Sequence, residues 1–268
     1  MARRTPAVQR SLDILELFLD GRDSVSAPEI VEELELPRTT VHELLNTLAG
    51  REYLHRHPDV PGRYQLGIQL FRLGSRYSEG LDVPKLGQRV AQEVVQACNE
   101  TAHVAVLDGL HIVYIAKVDS SHAVRMVSSL GRRLPAHCTA LGKALLASLP
   151  EAELERRLET GPLEALSERS ITDPTRLRAE LDQVRREGWA MEECEANPDV
   201  CCVAAPVRDR SGQVVSALSI SVPAHRWSPA RRDELRGVVT EAADRFTALL
   251  GGAPAPAARS GPAGQLSR

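Results

Sequence analysis

The 268 residues contain no stretch approaching the roughly 20 uninterrupted apolar residues that a membrane span requires. The opening Met1-Ala2-Arg3-Arg4-Thr5 leads into an amphipathic segment, not an apolar signal core. A membrane protein or a secreted precursor is therefore disfavoured, and a cytoplasmic setting is the expectation. Cys-x-x-Cys spacing is also missing. The five cysteines, Cys98, Cys138, Cys194, Cys201 and Cys202, are odd in number and irregular in separation, which speaks against a disulfide framework and predicts free thiols. Positive charge is scarce as well. Against 36 acidic residues stand 33 basic ones, a formal net of -3; residues 1–75 carry nine Arg against eleven Asp plus Glu, a difference of -2. A polyanion partner would therefore have to be held by local placement of charge. Lysine occurs only at positions 85, 117 and 143, so nearly every cation is an arginine, the side chain suited to bidentate contacts. There are no internal repeats and no cofactor or metal-ligand motif, and none of those groups is expected.

What is present is 43% apolar residues, enough for real cores, in two segments of different pattern. In the first, Val8, Leu12, Leu15 and Leu19 recur at helical spacing, widened by Ile14 and Phe18, until Asp20-Gly21 stops the pattern. Ser26-Ala27-Pro28-Glu29 has the form of a capping box opening a short helix with Ile30, Val31 and Leu34 inward. Pro37 then starts a third helix whose apolar stripe is Val41, Leu44, Leu45 and Leu48. Two short helices in tandem make a helix-turn-helix. Residues 53–66 alternate as strand, turn and strand, a wing-like hairpin. Residues 67–79 are amphipathic and helical, and residues 80–84 break the pattern.

Hundred-degree steps from the buried stripe turn Thr39, His42, Glu43 and Asn46 outward, with Arg38 and Thr40 near the helix start. Asn46 suits adenine, Arg38 guanine or phosphate, the Thr39 and Thr40 hydroxyls phosphate, and Glu43 the amino group of cytosine. Arg56 and Arg63 flank the wing tip, and Arg3, Arg4 and Arg10 lie at the start, all suited to phosphate or the minor groove. Charge alone would equally describe a solvated surface. Glu29, Glu32, Glu33 and Glu35 are expected to face solvent away from a duplex.

From residue 83 onward helices and strands intermingle. A helix to about 99 precedes strands near 101–107 and 111–118 joined by Asp108-Gly109, and a third near 123–127. Helices follow near 137–148, 151–158 and 175–187, then strands at 200–208 and 213–222 and a closing helix at 228–250. Hairpin connections predict an α+β fold with an antiparallel sheet. The Ala, Pro and Gly-rich stretch 251–268 reads as a disordered tail. The expected division is a winged helix-turn-helix at 1–66, a linker helix at 67–82 and a second domain at 83–250.

The run GRRLPAHCTALGKALLA at 131–147, with Cys202-Val203-Ala204-Ala205-Pro206-Val207 and Leu218-Ser219-Ile220-Ser221, resembles the effector-domain signature of the IclR family of bacterial transcription regulators. LPRTTVHELLNTLAGREYL resembles the recognition helix of the same family. The resemblance runs in order from about residue 7 to residue 250. It implies a GAF-like ligand domain behind the winged helix, an operator in double-stranded DNA, a small-molecule effector, and self-association into dimers and often tetramers. It places ligand contacts on Ala140, Leu141, Glu192, Cys202, Ser219 and Ser221. Ser219 and Ser221, two apart on a strand, share one face. A helix opening near His137, with free amides from Cys138 to Leu141, would favour a carboxylate ligand. Two departures stand out. Glu43 stands where the family commonly has a basic residue, and Asp199 replaces the family's glycine three residues before Cys202. Read without the resemblance, the same residues fit an ordinary core, with Cys202 a small hydrophobe and the serines bonded to backbone. Lys143 would face solvent or a neighbouring carboxylate, and Met126, Met191 and Trp189 would be packing. Two other readings are a cysteine enzyme, with Cys138 or Cys202 as nucleophile and His103 or His137 as base, and a metal or thiol redox sensor using His137, Cys138, Cys194 and Cys202.

Overall fold

The computed structural model describes residues 5–79, 82–122 and 128–253. The chain divides into two compact units, Met1–Leu81 and Asp82–Arg268. Among the described residues no helix is long and apolar enough to cross a membrane.

In the first unit, helix α1 (Pro6–Glu16) carries Pro6 in its first turn, where a missing N–H costs no hydrogen bond. A 3-10 turn, Leu17–Asp20, extends it to Gly21, whose φ of 94° ends the run. Only one side of its apolar surface is used. Ile14 and Phe18, four residues apart, are buried with Ile30, Val41, Leu45 and Leu54, whereas Val8, Leu12 and Leu19 are exposed, Leu19 by 69%. Helix α1 thus has two apolar sides, and helical spacing alone does not say which one meets the core.

Helix α2 (Ala27–Glu33) opens on the capping box read from the sequence: the Ser26 hydroxyl accepts from the Glu29 amide, and Glu29 Oε2 accepts from the Ser26 amide at 2.7 Å. Strand β1 (Val25–Ser26) precedes it, a two-residue strand too short to carry a period. Helix α3 (Arg38–Gly50) follows with Pro37 as its N-cap and buries Val41, Leu44, Leu45 and Leu48, the stripe the spacing predicted. Strands β2 (Leu54–Arg56) and β3 (Arg63–Leu66) form the hairpin, and β1 joins β3 from the other side to give an antiparallel sheet in the order β1-β3-β2. Helix α4 (Ile68–Glu79) completes the unit with Ile68, Phe71 and Leu73 exposed, Phe71 by 71%.

The second unit begins with α5 (Asp82–Cys98), so the break expected at 80–84 is overruled at Val83 and Pro84, which lie in the first turn of a helix that tolerates proline there. Gly80, Met126, the strand expected at 123–127 and all of the tail beyond residue 253 lie outside the described residues. Strands β4 (Thr101–Asp108), β5 (His111–Val118), β6 (Arg133–Pro135), β7 (Ala190–Glu193), β8 (Val200–Arg208) and β9 (Val214–Pro223) form one antiparallel sheet in the order β6-β5-β4-β9-β8-β7. β6 and β7 were not anticipated; both are short edge strands.

Side chains alternate across this sheet. Val203, Val207, Leu218, Ile220 and Val222 pack against α5 and α9 (Pro229–Leu249). Ala105, Ala204 and Ala217 face the opposite way, toward α6 (Ala140–Leu146), α7 (Glu151–Leu158) and α8 (Pro174–Glu187). The helix expected from His137 starts later: Ala136–Cys138 is a 3-10 turn, and α6 opens at Ala140 with Thr139 as N-cap, its hydroxyl accepting from the Gly142 amide at 2.9 Å. Gly142 lies against that turn so closely that an added Cβ would fall 2.1 Å from the Ala136 carbonyl oxygen.

Lys143 takes the carboxylate alternative of the two expected for it, not the solvent one. It is fully buried, and its ammonium donates to Glu195 Oε1 at 2.6 Å, Glu180 Oε1 at 3.1 Å and the Met191 carbonyl at 3.3 Å. Helical position could not reveal this, because the carboxylates come from residues 37 and 52 positions away. Burial raises the carboxyl pKa of Glu195, and Lys143 opposes that shift. Removing one partner of a buried pair strands the other. Lys143→Met is therefore expected to lower unfolding free energy by about 3–5 kcal/mol, read by urea denaturation, with Glu195→Gln added to Lys143→Met recovering part of the loss; a single variant as stable as the parent would contradict this role.

Candidate functional site

The register of the sheet assembles the predicted contacts. Glu192 on β7 pairs with Cys202 on β8, and Cys202 with Ser221 on β9, so the three side chains form one row on one face. Ser219 lies two residues before Ser221 on the same face, opposite Ala204. Above this row lie the first residues of α6. Between them is a cavity of about 720 Å³ lined by all six expected positions, Ala140, Leu141, Glu192, Cys202, Ser219 and Ser221. Its wall also includes Tyr114, Ser128, Arg132, Asn197 and His225, which sequence reasoning missed: their proximity depends on sheet register and loop path, which leave no local pattern. The amides of Cys138 and Thr139, expected as free donors, do not belong to the first turn of α6; the Thr139 amide donates to the Ala136 carbonyl at 3.1 Å. Ala140 and Leu141 occupy that turn.

The polar groups form a chain. The Cys202 thiol donates to the Ser221 hydroxyl at 3.2 Å, Ser221 Oγ lies 3.4 Å from His103 Nδ1, and His103 Nε2 lies 2.8 Å from the Ser128 hydroxyl. Burial, reinforced by nearby Lys117, lowers the His103 pKa to about 4, so the ring is neutral and uses one nitrogen as donor and one as acceptor. Burial likewise raises the Glu192 pKa to about 7, opposed by the thiol of Cys202 and by the Glu195 amide, which donates to Glu192 Oε2 at 2.9 Å. Near neutral pH this carboxyl can therefore either donate or accept. Asp199, the departure noted in the sequence, lines the cavity in a turn closed by its amide donating to Asn197 Oδ1 at 2.9 Å. The left-handed residue of this loop is Cys194, with φ of 62°, so aspartate stands at 199 without backbone strain.

On the first unit, α3 presents Arg38, Thr39, His42, Glu43 and Asn46 as exposed side chains, with Thr40 half-buried. Arg56 is exposed on β2. Arg63 is not available as expected. Its Nε donates to Ser24 Oγ at 2.7 Å, Nη2 to the Ser24 carbonyl at 2.8 Å and Nη1 to Glu29 Oε1 at 3.0 Å, which ties β3 to the start of α2. Glu29 is correspondingly half-buried in that pair and in the capping box, while Glu32, Glu33 and Glu35 are exposed as anticipated. Arg3 and Arg4 lie outside the described residues, and Arg10 is half-buried.

Residues 7–58 match the model of the IclR helix-turn-helix domain, and residues 75–248 that of the bacterial transcriptional regulator IclR C-terminal domain. The chain belongs to the IclR family. It is 32% identical to the HTH-type transcriptional regulator XynR of Escherichia coli over 91% of this chain and 97% of that one. It is 33% identical to KdgR of the same organism over 91% and 92%. A crystal structure of an IclR homolog from Microbacterium hydrocarbonoxydans complexed with 4-hydroxybenzoate superposes with a TM-score of 0.80 at 25% identity, covering 91% of this chain and 99% of that one. As an IclR-family member the chain is a transcription regulator with a DNA-binding helix-turn-helix and a C-terminal effector domain; these relatives are all regulators.

The cysteine chemistry considered from sequence finds little support in the IclR effector domain. A nucleophilic thiol must ionise readily. Burial instead raises the pKa of Cys138 and, with Glu192 adding to it, that of Cys202 well above normal. His137 Nε2 donates a hydrogen bond to the Glu164 carbonyl oxygen at 2.8 Å, and His103 reaches Cys202 only through Ser221. Among the described residues, no three or more His, Cys, Asp or Glu are grouped to hold a metal. His137, Cys138, Cys194 and Cys202 do not converge; Cys194 neighbours Cys201 instead.

The shift on Glu192 has a measurable sign. Between its ordinary value of 4.5 and about 7, the folded protein holds a proton that the unfolded chain has lost, so stability falls as pH rises through this window. His103 acts oppositely: below 6.5 the unfolded chain gains a proton that the folded one refuses until about 4, so its contribution falls as pH drops. Glu192→Gln removes the first effect and leaves the second. Stability of the variant relative to the parent, from urea unfolding, is expected to rise with pH by up to about 1.4 kcal/mol per unit across that window; parallel pH profiles would contradict the shift.

Proposed function

We propose that the 720 Å³ cavity is the effector site and that the ligand is a small organic acid or amino-acid-like metabolite whose binding changes affinity for a double-stranded DNA operator. The observation carrying this reading is the convergence of Ala140, Leu141, Glu192, Cys202, Ser219 and Ser221 on the lining of one cavity. The Ser219 and Ser221 hydroxyls suit a carboxylate, Glu192 suits a hydroxyl or amine, and Tyr114, Leu134 and Leu141 suit an apolar body. The 4-hydroxybenzoate bound by the Microbacterium homolog is a ligand of this chemical kind. Arg38, Thr39, Thr40, His42, Glu43 and Asn46 are the proposed groove contacts, and Arg56 the proposed wing contact with phosphate. Residues 1–66 would serve as the DNA-binding domain, 67–82 as linker and 83–250 as effector domain, acting on the chromosome in the cytoplasm.

Self-association belongs to the same reading. Val8, Leu12 and Leu19 on the α1 side and Ile68, Phe71 and Leu73 on α4 leave large apolar side chains in water within one small unit, which marks an interaction surface. A dimer would cover them and present two α3 helices to a two-part operator. Effector binding shifts operator affinity by its differential free energy for the two states of that assembly.

Fluorescence anisotropy on DNA flanking the gene, repeated across a panel of organic acids and amino acids, tests this. At least one compound is expected to change operator affinity about 5–150-fold, and Ser221→Ala to weaken that response while leaving ligand-free DNA affinity intact. Glu43→Ala is expected to narrow the gap between operator and scrambled DNA. A panel without any response, or binding unaffected by Asn46→Ala, would count against the proposal.

A further inference from the structure

The loop between β7 and β8 does two things at once. Ala196, Asn197, Asp199 and Val200 form part of the wall of the 720 Å³ cavity. At its base, Cys194 and Cys201 hold their sulfur atoms 3.7 Å apart. Both thiols are free, and both also line a second cavity of about 650 Å³ on the other side of the loop, with Trp227 and Arg169. Cys194 is turned toward its partner by a left-handed backbone, φ 62°, a conformation a non-glycine residue keeps only when its surroundings impose it. Those surroundings are visible: the Cys194 amide donates to the Val200 carbonyl at 2.9 Å, and the Cys194 carbonyl accepts from the Ser167 hydroxyl at 2.7 Å.

We propose that Cys194 and Cys201 are an oxidation site, a dithiol that closes into a reversible disulfide at the neck of this loop when a hydroperoxide reaches it through the second cavity. A disulfide needs a sulfur separation near 2.05 Å, a shortening of about 1.7 Å that side-chain rotation can supply. Cys194, the more exposed of the two at 9% against 2%, attacks first. Its thiolate forms a bond to one peroxide oxygen, the O–O bond breaks, and the departing oxygen takes up a proton as water, leaving a sulfenic acid. Cys201 then loses its proton and attacks that sulfur; the S–S bond forms and the second oxygen leaves as water. Two thiols and one hydrogen peroxide thus give one disulfide and two waters, the two sulfurs supplying both electrons. Burial and the neighbouring Cys194 raise the pKa of Cys201, which makes the closure slow and keeps the pair reduced under weak oxidant.

Closing the neck would fix one wall of the first cavity, giving the regulator a second input. That consequence rests on the effector reading above; the chemistry of the pair does not. The test uses the full-length reduced protein treated with hydrogen peroxide. It is expected to lose two of its five thiols, to lose two hydrogens in mass, and to recover both with dithiothreitol. Cleavage before Asp199 separates the fragment carrying Cys194 from that carrying Cys201, and these should stay joined until reduction. Cys202→Ser should form the same link between Cys194 and Cys201, whereas Cys201→Ser should yield no such link. Slower amide exchange across residues 195–200 after oxidation would show that the neck has tightened. All five thiols retained under oxidant, or a joined pair persisting in Cys201→Ser, would overturn the proposal. Should that variant fail to fold, sequencing the joined peptides of Cys202→Ser assigns the link alone.

Discussion

The effector domain depends on an asymmetry of side-chain volume across one sheet. Toward α5 and α9 its strands present Val203, Val207, Leu218, Ile220 and Val222, all buried in one apolar cluster with those helices. Toward α6 the same strands present Cys202, Ala204, Ala217, Ser219 and Ser221. A protein interior is packed at crystal density, so small residues normally draw the opposite layer closer. Here α6 is held off by a frame of its own: Gly142 sits against Ala136, Thr139 caps the helix, and Lys143 anchors it to Glu180 and Glu195. The space between stays open because both of its walls are fixed elsewhere.

That frame is polar, and apart from Glu195 Oε2, which is buried without a hydrogen-bond partner among the described residues, its groups bond to one another. Lys143 binds three acceptors, Glu195 turns its amide to Glu192, and Ser167 and Ser170 hold the carbonyls of the same loop. The raised pKa of Glu192 and the lowered pKa of His103 follow from the same burial. The groups that face the cavity and the groups that keep it open are thus neighbours in one network. A ligand that engages Glu192 engages the anchor of the β7–β8 loop as well.

Much of this was legible in the sequence, and the limits have physical reasons. Helix α3 was readable because four leucine or valine residues at 3.6 spacing admit one inward face. Helix α1 was readable as a helix but its buried side was not, since both of its sides are apolar and only the rest of the unit decides between them. The capping box was read atom by atom, yet the partnership of Glu29 with Arg63 was missed, because a contact 34 residues apart leaves no local trace. Ser219 and Ser221 share a face by strand period alone; their meeting with Glu192 required the register of three strands. The resemblance supplied those positions, and the register explains why they belong together. For Lys143 the carboxylate alternative holds and the solvent one does not; which carboxylates it meets was hidden for the same reason as with Arg63, because its partners are distant in the chain.

The DNA end obeys a tighter constraint. With a net charge of -3, the chain has few cations to spare, and Arg63 is already committed to holding the sheet to α2. In the proposed DNA contact, base recognition would fall on the exposed polar face of α3, with Glu43 and Asn46 among the discriminating groups instead of bulk positive charge. The account as a whole turns on the open space beneath α6, and one substitution addresses it directly. Ser219→Leu places a branched side chain into the cavity from β9. Operator titration of this variant with and without the responsive metabolite should give parental affinity in its absence and no response in its presence. A full parental response in a folded Ser219→Leu protein would show that the ligand acts elsewhere.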